Sequence, residues 1–388
     1  DLWIRILTAR LETGEPYIIY GDPVNRAIPE HHKLAGLSVK MSNLCSEITL
    51  PTGLDHLGEE RTAVCCLSSL NLETYDEWCE AEGFVADIMR FLDNVLQDFI
   101  DRAPDSMARA KYSAMRERSV GLGVMGFHSF LQMRGIPLEG VMAKVWNKRI
   151  FKQIRTEADA ASRALAAERG PCPDAEEFGI MERFSNKMAI APTASISIIC
   201  GGASPGIEPI AANSFTHKTL SGSFAVRNKH LEALLAGYGR NDEDTWTSIT
   251  LNEGSVQHLD FLSDEEKDVF KTAFELDQRW LIELAGDRTP FVCQSQSLNI
   301  FLPGDVHKRD LHRLHLLAWK KGVKSLYYCR SKSIQRAESS ATETARAAAQ
   351  ANGHANGHAI PLLGKINGHE KANGKAAAAE VDYEECLA

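Results

Sequence analysis

Five consecutive residues, Asn43-Leu44-Cys45-Ser46-Glu47, carry the side chains best suited to chemistry. Along an extended backbone successive side chains alternate, so Asn43, Cys45 and Glu47 would share one side. An amide, a thiol and a carboxylate would then converge. Glu47 offers a general base, Asn43 a hydrogen-bonding group to orient a substrate, and Cys45 a sulfur able to act as nucleophile, ligand or radical carrier. Val39 and Lys40 precede the five, Ile48, Thr49 and Leu50 follow, and Pro51-Thr52-Gly53 supplies a turn. A short strand or finger-like loop is therefore expected. Three residue types leave the choice among those chemistries open.

Other groups narrow it. Cys65 lies twenty residues after Cys45 on a separate strand candidate, residues 63–67, so two sulfurs would meet if the chain folds back. Its neighbour Cys66 points the other way by strand alternation and is read as packing. The segment Pro192-Thr193-Ala194-Ser195-Ile196-Ser197 follows an apolar strand candidate and offers hydroxyls and backbone N–H groups to a phosphate, although the Gly-Lys-Ser/Thr ending of a P-loop is absent. Leu326-Tyr327-Tyr328 sets two phenols side by side at the end of an apolar strand. Adjacent tyrosines pass an electron if each has a proton acceptor; the plainer reading is an aromatic strand end packed in the core.

The elements that must position these groups show an α/β rhythm. Residues 2–12 read as a helix closed by Thr13-Gly14, and residues 16–20 as a strand stopped by Gly21-Asp22-Pro23. Residues 75–101 read as one helix, with Phe84, Ile88, Phe91, Leu92 and Val95 at helical spacing. Residues 118–133 read as an apolar helix whose Gly121, Gly123 and Gly126 serve close helix packing, with no strand before them and so no dinucleotide fingerprint. Residues 144–168 and 265–285 read as helices, 187–191 as a strand, 298–301 as a strand, 306–321 as a helix and 323–328 as the last strand. From about residue 337 the composition shifts to Ala, Asn, Gly, His, Lys and Glu, with Asn-Gly-His repeated, which reads as a flexible tail over 337–388. The repeats are read as a mobile linker in preference to metal binding by His354, His358 and His369.

Bulk properties fit an enzyme. With 388 residues, 44% of them hydrophobic, the chain can bury a large core. A net charge of -9 argues against a nucleic-acid footprint. Nine cysteines at irregular spacing, without a signal peptide or long apolar run, fit a reducing cytoplasm and no membrane. No cysteine or histidine spacing suggests a metal site, and Cys79, Cys172, Cys200, Cys293 and Cys329 default to core or surface thiols. Asp1-Leu2-Trp3 opens inside a helix pattern, so the chain reads as part of something longer.

Taken in order, Ser42-Asn43-Leu44-Cys45-Ser46-Glu47-Ile48, Val64-Cys65-Cys66-Leu67-Ser68, Arg118-Ser119-Val120-Gly121-Leu122-Gly123, Ala191-Pro192-Thr193-Ala194-Ser195, Gly206-Ile207-Glu208-Pro209 and Leu326-Tyr327-Tyr328 closely resemble the large catalytic subunit of class I ribonucleotide reductase. The resemblance implies the later part of a ten-stranded α/β barrel over residues 1–336, with a central finger loop tipped by Cys45. It implies reduction of ribonucleoside diphosphates to deoxyribonucleotides. Cys45 would be the transient thiyl that removes the ribose 3′ hydrogen, Glu47 the base for the 3′-hydroxyl, and Asn43 a substrate-hydroxyl ligand. Cys65 would be one of a reducing pair whose partner lies before residue 1.

Residues 192–197 would hold the diphosphate, and Tyr328 and Tyr327 would relay a radical from a metal-containing small subunit. This chain would bind no cofactor of its own, and effector nucleotides would bind upstream of it. Cys386, in Glu384-Glu385-Cys386-Leu387-Ala388, would be a tail thiol that re-reduces the active site, with thioredoxin or glutaredoxin as outside reductant and a homodimer as the full-length state. A cobalamin-dependent reductase shares the thiyl chemistry but has no tyrosine relay; a catalytically silent nucleotide-binding relative is the rival from another class.

Overall fold

The computed structural model describes residues 1–219, 222–304 and 306–331. The proposed tail, with Cys386, His354, His358 and His369, lies outside the described residues. At the centre is a wall of parallel strands. Leu67–Asn71 pairs in parallel with Gly121–Met125, which is buried along its whole length, as expected of a strand covered on both faces. Parallel bridges Leu122↔Met188 and Ile190↔Gln296 carry the wall onward. Ile300–Leu302 then pairs in parallel with Cys329–Ser331, and Tyr327 donates its backbone N–H to the Leu298 carbonyl at 2.8 Å. Ile18–Ile19 closes the far side, antiparallel to Ser325–Leu326.

Helices cover the outside. Phe84–Arg102 packs on the long helix Val141–Arg169, which also packs on Gln278–Arg288, and that helix in turn on Lys308–Lys320. The first helix, Leu2–Thr13, ends at Gly14 with φ 81°, as the Thr13-Gly14 pair predicts.

Several expectations need correction. Residues 118–133 are not one helix: Gly121–Met125 is a strand, and the helix Phe127–Met133 starts only after Gly126 at φ 79°. The glycines serve strand contact, since a Cβ on Gly123 would stand 2.5 Å from the Ala189 carbonyl oxygen. Gly21-Asp22-Pro23 starts a helix, Gly21–Ala27, where a stop was expected. The strand expected at 63–67 begins only at Leu67. The helix expected over 75–101 is interrupted, with Tyr75–Trp78 and Phe84–Arg102 separated at Gly83, whose φ of 80° suits no continuous helix. Its core face runs through Val85, Met89, Leu92, Leu96 and Ile100, and Phe91 and Val95 are exposed. Residues 265–285 divide into Asp264–Val269 and Gln278–Arg288. Residues 187–191 make only single bridges on either side, and the last strand breaks at Tyr327 and Tyr328 into Ser325–Leu326 and Cys329–Ser331.

Candidate active site

The segment from Asn43 to Glu47 is a tight turn, so simple strand alternation does not apply to it. Ser46 adopts φ 67° and its N–H returns to the Asn43 carbonyl at 3.2 Å. The turn is stitched to the wall mainly through main-chain atoms. Ser295 N–H donates to the Glu47 carbonyl at 2.9 Å, Thr49 N–H to Gln294 Oε1 at 3.2 Å, and Ser325 Oγ to the Ser46 carbonyl at 2.9 Å. Ile48 and Leu50 behind it pack with Ala189 in a small apolar cluster. This is the finger-like loop expected from the sequence, built differently.

Asn43 and Glu47 meet through their side chains, and Cys45 is tied to the same place through its carbonyl. Glu47 is buried, at 2% exposure, and its carboxylate accepts hydrogen bonds from Asn43 and from Ser297 Oγ, the latter at 3.2 Å. Burial raises its pKa above the usual carboxylate range, and those hydrogen bonds oppose the rise only in part. Ser297 Oγ also contacts the Cys45 carbonyl, so one serine braces both Cys45 and Glu47. Cys65 is exposed, and Cys66 beside it is buried in the main core, although both precede the strand on which that alternation was expected. The Cys65 thiol is nonetheless pushed up to about 12, first by desolvation and then by the charges of Glu47, Cys66 and Cys45. Cys65 thus lies within electrostatic reach of Glu47 and Cys45.

Tyr327 is buried and directs its hydroxyl at Cys45 Sγ, 3.8 Å away. Its ring lies 4.4 Å from that of Tyr328, tilted by 53°. Desolvation raises its phenol strongly, with Cys45 and Tyr328 adding to the effect. The hydroxyl segment starts on the same wall, because Ser297 N–H donates to the Ile190 carbonyl at 2.9 Å. It is not a plain loop: Ala194–Ile199 forms a short helix after Thr193 at φ 56°. Thr193 Oγ1 accepts the Gly206 N–H at 2.7 Å, which leaves its own O–H to donate, and Ser197 Oγ donates to the Ala194 carbonyl. Ser195 and Ile196 are exposed, and Pro192 and Ala194 half-buried.

Sequence reasoning missed Ser297, Tyr17 and Asn299. Ser297 ends an alternating Gln294-Ser295-Gln296-Ser297 pattern whose inward serines were a readable signal. Asn299 takes the Tyr328 N–H at 3.0 Å and donates to Glu208 at 2.7 Å, which accounts for Gly206-Ile207-Glu208-Pro209 among the motifs. Tyr17 stacks on both tyrosines with ring centroids 4.6 and 4.9 Å away, and no local pattern announced it. A cavity of about 610 Å³ lies elsewhere, lined by Lys187, Cys293 and Lys324 at the amino-terminal ends of the wall segments. Among the described residues no cluster of three or more His, Cys, Asp or Glu side chains suits a metal ion, and no helix is long and apolar enough to cross a membrane.

A parallel α/β wall with a cysteine-tipped finger held against it, and a buried tyrosine aimed at the cysteine, defines the class as part of an α/β barrel with a central finger loop. The chain belongs to the family described as ribonucleotide reductase, barrel domain, whose profile matches residues 1–179 and 174–329. It is 47% identical over 337 residues to the ribonucleoside-diphosphate reductase large subunit of Invertebrate iridescent virus 3, covering 86% of this chain and 52% of that protein. It is 45% identical over 334 residues to the putative ribonucleoside-diphosphate reductase large subunit of Frog virus 3 (isolate Goorha), covering 85% and 58%. The solved Actinobacillus ureae class Id ribonucleotide reductase alpha subunit superposes with a TM-score of 0.78 at 38% identity, covering 85% of this chain and 60% of that one. The barrel-domain fold expected from the motifs is thereby established. The chain spans about half the length of the curated relatives it matches.

Proposed function

We propose that this chain carries the thiyl-radical chemistry that reduces ribonucleoside diphosphates to 2′-deoxyribonucleoside diphosphates. The observation behind it is the Tyr327 hydroxyl directed at Cys45 Sγ beside the buried Glu47 carboxylate, in a member of the reductase barrel family. A phenoxyl radical at Tyr327 takes the hydrogen atom of the Cys45 thiol, so an O–H bond forms and an S–H bond breaks. The Cys45 thiyl removes the ribose 3′ hydrogen while Glu47 accepts the 3′-hydroxyl proton, and the C2′ hydroxyl takes a proton from a thiol of the reducing pair and leaves as water. Asn43 orients the substrate hydroxyls.

Cys65 and a second thiol from outside this chain supply two electrons and become a disulfide. A thiol pushed up to about 12 keeps its hydrogen at neutral pH, which suits a hydrogen donor. With the Ser197 hydroxyl donated internally, the diphosphate falls to the Thr193 and Ser195 hydroxyls and the backbone N–H groups of residues 194–196. The radical originates in a metal-containing small subunit, passing through Tyr328, and Cys386 returns electrons from a thioredoxin- or glutaredoxin-type dithiol. The complete large subunit acts as a homodimer in the cytoplasm, with effector nucleotides bound outside this chain.

In the complete enzyme with its small subunit and a dithiol reductant, Cys45→Ser and Tyr327→Phe should each abolish deoxynucleotide formation and leave diphosphate binding intact. Substantial turnover by Cys45→Ser overturns the role given to that sulfur.

A further inference from the structure

Tyr17 stands outside the pair of tyrosines yet touches both, and its hydroxyl has a definite destination. It donates to Glu15 Oε1 at 3.0 Å, and Glu15 is exposed to solvent. The Tyr17 ring meets that of Tyr328 edge-on with centroids 4.9 Å apart, and the neighbouring Tyr328 phenol helps raise that of Tyr17. With its own proton directed to Glu15, the Tyr17 oxygen is free to accept from Tyr328. On the inner side Tyr327 points its proton at Cys45. Tyr328 therefore sits between an outward phenol that leads to water through Glu15 and an inward phenol that leads to the sulfur.

The arrangement is held rigidly. Buried Arg10 bonds both the Pro16 carbonyl, next to Tyr17, and the Tyr327 carbonyl, the latter at 3.0 Å. Arg330 lies over the Tyr328 ring at 5.6 Å. A guanidinium on that side opposes any positive charge left on an oxidised phenol, so the proton must depart with the electron.

We propose that Tyr17 and Glu15 form a proton exit for Tyr328, carrying its phenolic proton to solvent when a one-electron oxidant, a phenoxyl-type radical of a partner protein, removes its electron. The Tyr328 O–H bond breaks as a new Tyr17 O–H bond forms, and the former Tyr17 proton moves onto the Glu15 carboxylate. Tyr328 is left as a neutral radical, and the electron reduces the oxidant. The exit works in reverse when the radical returns. This inference rests on the reading of Tyr327 and Tyr328 as a relay.

The chain itself suffices for the test. Photogenerated tris(bipyridyl)ruthenium(III) oxidises its tyrosines, and the part of the phenoxyl signal lost in Tyr328→Phe reports Tyr328. Glu15→Gln, an isosteric change at an exposed position, should slow formation of that signal at least about tenfold, with added acetate restoring the rate. Tyr17→Phe, which keeps the ring, should slow it likewise, and the double variant should be no slower than either single one, as for two links in series. An unchanged rate in Glu15→Gln, or independent effects of the two changes, overturns the proton exit and leaves the relay standing. No signal attributable to Tyr328 overturns the relay and the exit together.

Discussion

At the scale of single residues, Glu47 bears on the protonation of Cys65. Burial is the larger cause of the raised Cys65 thiol, but the facing Glu47 carboxylate comes next, and a negative charge disfavours a second one forming nearby. Glu47→Gln removes that charge, so the Cys65 thiol should fall from about 12 and its thiolate fraction at pH 8 should rise. Alkylation of Cys65 by iodoacetamide, followed peptide by peptide, should quicken roughly three- to tenfold. No change in rate means the two groups do not feel each other. The chemistry of Asn43, Cys45, Glu47 and Tyr327 was legible because unusual residue types stand close together in the chain. For Ser297 the local alternation marks an inward serine, but its meeting with Cys45 spans 252 residues and could not be read from it.

At the scale of elements, the close approach of Gly121–Met125 to residues 188–190 controls the entrance to the hydroxyl segment. Gly123→Ala would drive a methyl group to 2.5 Å from the Ala189 carbonyl oxygen and 3.2 Å from Ile190 Cα, and backbone cannot swing aside as a side-chain end can. The expected cost is about 2–4 kcal/mol, read as a lower urea midpoint. A midpoint unchanged within error contradicts the tight contact. Helices such as Val141–Arg169 were readable from their period, while the strands were read poorly. Met188 and Ile190 make one bridge each, and glycines chosen for contact between strands imitate glycines chosen for contact between helices. Pairing partners, which propensity does not see, decide such segments.

For the whole molecule, burial has made three histidines acid-sensitive. His31, His128 and His315 are each 3% exposed or less, and desolvation lowers them to about 4, 3 and 4. A histidine lowered in the folded state adds stability above its ordinary value near 6.5, and that stability is lost as pH falls toward the folded value. Each histidine thus pulls stability down between pH 6.5 and 4, by about 3 kcal/mol when fully titrated, while the buried Glu117 and Glu208 carboxyls, raised to about 8 and 7, pull it up. The histidine share is therefore read as the difference in unfolding midpoint between the parent and His128→Gln, whose stability should fall less with acid. An equal slope in that variant removes His128 from the account. The barrel itself was legible only through ordered motifs, since local periodicity did not reveal which strands are neighbours. One of those neighbour relations bears on how the chain is made. Ile18 pairs with Leu326, Trp3 bonds His312 and Arg10 bonds the Tyr327 carbonyl, so the first twenty residues find their partners among the last described ones. At a ribosomal pace of about 5–20 residues per second, that opening segment waits roughly 15–60 s for Leu326 to be synthesised. During nascent-chain growth its apolar face is a natural target for chaperones.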